Sequence, residues 1–77
     1  MGVEDVWAVK ARSILKAELK RRDVSYQQLA SKLAEIGVEE TPASIANKIS
    51  RGKFTAAFLL QCLEVIGCVT LRLREPS

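Results

Sequence analysis

Thr41-Pro42-Ala43-Ser44-Ile45-Ala46-Asn47-Lys48-Ile49-Ser50-Arg51-Gly52-Lys53 reads as one short helix with a clear boundary at each end. The Thr41 hydroxyl can cap the first turn, and Pro42 suits the first helical position, where no amide donor is needed. Gly52 can adopt the left-handed conformation that stops the helix. Ala46 and Ile49 are three apart and point to one face, whereas Asn47, Lys48 and Arg51 lie on others. A helix with a small-residue start and a basic, amide-bearing surface can enter a DNA groove.

Three further helices flank it. The first is expected from about Val6 to Arg22, with Trp7, Ala11, Ile14, Leu15 and Leu19 inward and Lys10, Arg12, Lys16 and Lys20 outward. Lys20, Arg21 and Arg22 gather at its C-terminal end, where they complement the helix dipole or are available to phosphates. The second begins at Ser25, whose spacing to Gln28 is that of a capping box. Leu29, Ala30, Leu33 and Ala34 line its inner face, and Gly37 ends it. Thr55 caps a fourth helix that reaches Ile66 and stops at Gly67. Only Gln61 and Glu64 are polar between that cap and stop, so this helix is either a central core element or partly a subunit interface.

The tail Cys68-Val69-Thr70-Leu71-Arg72-Leu73-Arg74 alternates and reads as a strand over about 68–74, with Val69, Leu71 and Leu73 on one side. One strand has no partner in a helical chain. It is expected to pair with a copy of itself across a two-fold axis, or with a short extended N-terminal piece. The expected fold is therefore all-α: one compact four-helix domain over 1–77, its core at about 6–67, with a short C-terminal strand that pairs in a homodimer.

Composition narrows the function. At 77 residues there is room for one core. Aromatic residues make up 5%, so that core is aliphatic. A formal charge of +3 is a mild bias toward polyanions, and it is uneven: residues 1–24 hold six Lys or Arg against four acids. Histidine is absent, which removes the commonest general base and metal ligand. Cys62 and Cys68 are too few for a zinc site and read as small core residues, at home in a reducing cytoplasm. Neither a secretory leader nor a membrane span is expected: Glu4 and Asp5 interrupt the start, and the apolar segment 54–69 is short and broken by Gln61, Glu64 and Gly67. No cofactor, no metal and no catalysis are expected, since no nucleophile stands beside a recognisable base and no glycine loop cradles phosphate.

Taken together, Leu15–Gly67 resembles the helix-turn-helix domain of the phage-repressor (Cro and CI-like) class of DNA-binding proteins. The matching residues are Leu15 and Leu19, then Val24-Ser25-Tyr26-Gln27-Gln28-Leu29-Ala30, then Ile49-Ser50-Arg51-Gly52-Lys53, then Leu59, Leu63 and Gly67. The stretch Ile49–Phe54 is also similar to small uncharacterised bacterial proteins of this type. The sequence departs from the family in a longer connection between Ala30 and Gly52, whose turn becomes Gly37–Glu40. Glu39 and Glu40 directly precede the third helix, where carboxylates oppose DNA phosphates. Tyr26 stands where the family usually places a DNA-contacting glutamine.

The resemblance implies a small dimeric, DNA-binding transcriptional regulator that uses the helix of about 42–51 for recognition. Ser44, Asn47 and Lys48 are then the candidates for base edges, and Arg51 and Lys53, with Gln27 or Tyr26, for phosphates. The bland alternative leaves Asn47 and Lys48 as a solvated face and Arg51 and Lys53 as dipole partners. The rival function is a protein-interaction or antitoxin-like accessory module on the same scaffold. Convergence of Arg12, Arg21, Arg22, Arg51 and Lys53 on the third helix favours DNA; scatter favours a protein partner.

Overall fold

The first helix is longer than its apolar spacing suggests. In the computed structural model, which describes residues 2–73, α1 spans Val3–Arg21. It starts at Val3 instead of about Val6, because Gly2 donates its amide to Asp5 Oδ2 at 3.4 Å and an acid in the first turn suits the positive helix end. Asp23, at φ 56°, turns the chain out of α1, and Val24 N donates to Leu19 O at 2.9 Å.

The remaining helices follow their caps. In α2, Tyr26–Glu35, Ser25 Oγ accepts from Gln28 N at 3.1 Å while Gln28 Oε1 accepts from Ser25 N at 2.8 Å. In α3, Pro42–Arg51, Thr41 Oγ1 accepts from Ser44 N and Ser44 Oγ accepts from Thr41 N, both at 3.0 Å. Gly52, at φ 68°, closes α3 in the left-handed region. In α4, Ala56–Val65, Thr55 Oγ1 accepts from Phe58 N at 3.0 Å. Each cap satisfies amides that would otherwise lack partners in the first turn, so the sequence sets these starts locally.

The fold is compact and all-helical among the described residues, with α3 and α4 each packing on both α1 and α2. Leu15 and Leu19 of α1, Leu29 and Leu33 of α2, Ile45 and Ile49 of α3, and Phe58, Cys62 and Leu63 of α4 form one buried cluster. The nearly all-apolar α4 is mainly a core element: Leu59 and Val65 are partly covered, while Leu60 stays 65% exposed. No helix among the described residues is long and apolar enough to cross a membrane.

Three expectations fail. Trp7 does not join the core and is 61% exposed. The end of α3 meets this part of α1 at Ala8, where Gly52 comes against the Ala8 carbonyl, so the seam runs one residue round the helix from Trp7 and presents no bulky side chain to cover it. Ala34, expected inward on α2, is exposed. Residues 68–73 form no strand, and the shared apolar face expected of Val69, Leu71 and Leu73 is split: Val69 is 96% and Leu73 64% exposed, while Leu71 packs against the core. Cys68 N closes α4 by donating to Leu63 O at 2.9 Å, after which Leu71 takes the nearest apolar cover. A strand needs a second edge to bond to, and no described segment offers one. Arg74, the last residue of the expected strand, lies outside the described residues.

Candidate nucleic-acid interface

The burial of Ile45 and Ile49 decides which way the rest of α3 faces. Ala43, Asn47, Ser50 and Arg51 are exposed on the opposite side, with Asn47 and Arg51 one turn apart. At the C-terminal end of this face, Arg12 Nη1 of α1 donates to Ser50 O at 2.9 Å, an orphan carbonyl of the last turn. Lys53 follows Gly52, largely exposed, with its Nζ 3.9 Å from Asp5 Oδ1. Arg12, Arg51 and Lys53 thus gather at one end of α3.

Ser44 and Lys48 are placed differently from Asn47. Glu40, in the turn before α3, accepts a hydrogen bond from Ser44 Oγ at 2.6 Å through one oxygen and a salt bridge from Lys48 Nζ through the other. The Lys48 ammonium also lies 4.8 Å from the ring centroid of Phe58 in α4. The Glu40 side chain is only 11% exposed. The Lys48 ammonium, and then the Ser44 hydroxyl, hold its carboxyl below the ordinary glutamate value of 4.5, against the opposing effect of burial. Two of the three side chains named as base readers from the sequence, Ser44 and Lys48, are therefore already bonded within the protein, and Asn47 is the one left exposed on the outer face. Spacing alone hides this, because Glu40 lies outside the helix and its approach to Lys48 depends on the turn.

Tyr26 and Gln27 open α2. Tyr26 is half-buried against the core, and Gln27 is exposed. Gln28 is committed to the cap, as its spacing from Ser25 suggests.

Arg21 and Arg22 do not join the α3 cluster. They lie about 14 Å further along α1 than Arg12 by helix rise. Both bind Glu18, a carboxylate whose residue is 4% exposed: Arg21 Nη1 at 2.6 Å from Oε2, and Arg22 through Oε1. The Arg22 hydrogen bond chiefly, with help from Arg21, holds the Glu18 carboxyl below 4.5 although burial pushes the other way. The basic cluster read from the sequence as serving a dipole or a phosphate thus has an internal counter-charge that the spacing did not single out. Of the five cations whose convergence was at issue, three collect near the end of α3 and two do not.

Cys68 Sγ donates toward Glu18 Oε1 at 3.8 Å and toward the Thr70 carbonyl at 3.5 Å. Cys62 is fully buried, and burial, with Glu40 adding to it, pushes its thiol up to about 11. No group of three His, Cys, Asp or Glu side chains placed to hold a metal occurs among the described residues.

Neither a curated protein nor a solved structure matches the chain. A family model does, over residues 7–71, a span that takes in the α2, α3 and α4 caps, Gly52 and the Glu18 and Glu40 clusters; the chain belongs to this family, the domain of unknown function DUF6471.

Proposed function

We propose that this chain binds double-stranded DNA as a small dimeric transcription regulator of the cytoplasm, with α3 laid along the major groove. The observation that carries the reading is the pairing of Asn47 and Arg51, one turn apart and exposed, opposite the buried Ile45 and Ile49. An asparagine amide can bond adenine through two atoms, and an arginine at the helix end can reach a phosphate. Ala43 keeps the leading edge of the helix small enough for close approach. Arg51 and Lys53 are assigned to the backbone, joined by Gln27 or Tyr26 at the start of α2. Glu40, which from sequence opposes DNA, has its charge met by Lys48, so Glu39 is the exposed acid of that turn.

The dimer in this proposal forms through the tail, whose Val69 and Leu73 stand uncovered. Two copies of α3 would then be spaced by about one turn of DNA, on the order of 34 Å.

A protein-interaction role is the second reading. It is favoured by the exposed apolar side chains Val3, Val6 and Trp7 at the start of α1. An NMR titration of labelled protein with a generic duplex separates the two. Salt-sensitive shifts on Gln27 and on Ala43–Lys53 are expected for DNA binding. An unchanged spectrum at low salt removes that reading and turns attention to α1.

A further inference from the structure

Resting on the reading of α3 as the DNA-facing helix, we infer that Glu40 is a specificity-determining residue that withholds Lys48 from nucleic acid. Without Glu40, Lys48 would be a flexible cation on the flank of α3, free to take any phosphate within reach. Such a contact raises affinity for every sequence alike and discriminates among none. In the structure three features hold the ammonium back: the Glu40 carboxylate, the Phe58 ring 4.8 Å away, and the Ser44 hydroxyl that fixes the carboxylate's other oxygen at 2.6 Å. Glu40 is nearly covered, with 11% of its side chain exposed, so surrendering Lys48 to DNA would leave a desolvated charge without its partner. The lysine therefore stays with Glu40 in the complex. Within α3 the groove-facing side chains are then Asn47 for bases and Arg51 for the backbone, with unspecific attraction kept low.

The test measures anisotropy of a fluorescent mixed-sequence duplex over a salt series. The proteins are the wild type, Glu40→Gln, Glu39→Gln, Lys48→Met and the Glu40→Gln/Lys48→Met pair. Glutamine keeps the Ser44 hydrogen bond while removing the charge that holds Lys48. Methionine keeps an apolar stem over Phe58. Glu39→Gln controls for the loss of one nearby negative charge without release of a lysine.

Glu40→Gln is expected to bind several-fold tighter at low salt, and more so than Glu39→Gln. One added phosphate contact steepens the salt dependence by about 0.9 in log–log slope per protomer, roughly a 3.5-fold greater loss between 50 and 200 mM. Adding Lys48→Met should cancel that gain and leave the charge-neutral Glu40→Gln/Lys48→Met pair within about twofold of the wild type, since the lysine is not on the DNA; Lys48→Met alone uncovers the Glu40 charge and is expected to bind more weakly than the pair. The inference is overturned if Glu40→Gln gains no more than Glu39→Gln, if its gain survives Lys48→Met, or if the Glu40→Gln/Lys48→Met pair binds several-fold more weakly than the wild type; in each case the DNA reading stands. Should Glu40→Gln alone fail to fold, the charge-neutral Glu40→Gln/Lys48→Met pair decides by the same criterion. If neither the wild type nor any variant binds the duplex at low salt, the DNA reading fails and takes this inference with it.

Discussion

A β-carbon on Gly52 would stand 2.2 Å from the carbonyl oxygen of Ala8 and 2.8 Å from its carbonyl carbon. Both atoms belong to helix backbone, which cannot swing aside as a side chain can. Gly52 therefore does two things: it ends α3 at φ 68°, and it lets the end of α3 meet α1 backbone to backbone.

Gly52→Ala is accordingly expected to cost about 3 kcal/mol or more, the sum of left-handed strain and overpacking. Gly37 provides the comparison, since its φ of 82° is also left-handed but nothing lies within 4 Å of an added β-carbon. Gly37→Ala should lose only the strain, about 1 kcal/mol. Urea midpoints at constant m-value measure both. Equal losses would mean that the Ala8 contact relaxes freely.

Glu18 and Glu40 are expected to make the fold sensitive to acid. Both carboxyls lie below 4.5 when folded and return toward it on unfolding. A depressed folded value means the unfolded chain takes up protons first as pH falls. The stabilisation is therefore complete above pH 4.5 and is lost as pH drops through the folded values. Thermal unfolding should be flat from neutrality down to about pH 5 and fall steeply below 4.5, with Glu18→Gln flattening part of that fall. Arg22 is 27% exposed at its side chain against 60% for Arg21. Arg22→Met should thus cost about 1–2 kcal/mol at pH 7, and Arg21→Met less than about 1. A pH profile unchanged by Glu18→Gln would rule out this carboxylate as a source of the acid response.

What the sequence made legible was local. Ser25 with Gln28, Thr41 with Pro42, and Thr55 mark helix starts by bonds within four residues, and all three starts fall where expected. Arg22–Glu18 and Lys48–Glu40 were missed for different reasons. The first has helical spacing, yet nothing in the spacing says that Glu18 is buried. The second crosses a turn whose path depends on how α2 meets α3. Trp7 was misplaced because spacing does not fix the centre of a buried face to one residue: the end of α3 packs at Ala8, and Trp7 beside it stays 61% exposed. The tail failed for a related reason: alternation marks a capacity to pair, and pairing needs an edge outside this chain's described residues.

The two thiols should separate cleanly. Cys62 is fully buried, with its thiol pushed up to about 11, whereas Cys68 is half-buried just beyond α4. A thiol reagent at pH 8 is expected to modify Cys68 in the native protein and both residues in urea. Modification of both at equal rates without denaturant would show that α4 opens readily.

Within the tail, Leu71 and Val69 should respond to different measurements. Leu71 packs on the core, so Leu71→Ala is expected to lower monomer stability by about 1 kcal/mol. Val69 is 96% exposed and contributes nothing to the monomer that its loss could remove. Val69→Asp should leave the unfolding midpoint of dilute protein unchanged while shifting sedimentation toward the monomer. A wild type that sediments as a monomer at high concentration would end the tail-mediated dimer.

Asn47 and Arg51 test the DNA reading by the kind of loss each causes. Arg51→Ala removes a phosphate contact in the proposal, so it should weaken specific and generic duplexes alike and lower the salt slope by about 0.9 per protomer. Asn47→Ala should leave generic binding nearly unchanged and cost about 1–3 kcal/mol only at the selected site, relaxing preference at one base pair. The site itself comes from selection on a random duplex pool with the wild-type protein. Both residues are exposed and neither lies in the core, so circular dichroism should show both variants folded. Uniform loss from Arg51→Ala with selective loss from Asn47→Ala would fix α3 as the reading helix. If both variants bind every duplex as the wild type does, α3 faces something other than DNA, and the exposed Trp7 of α1 becomes the first residue to substitute.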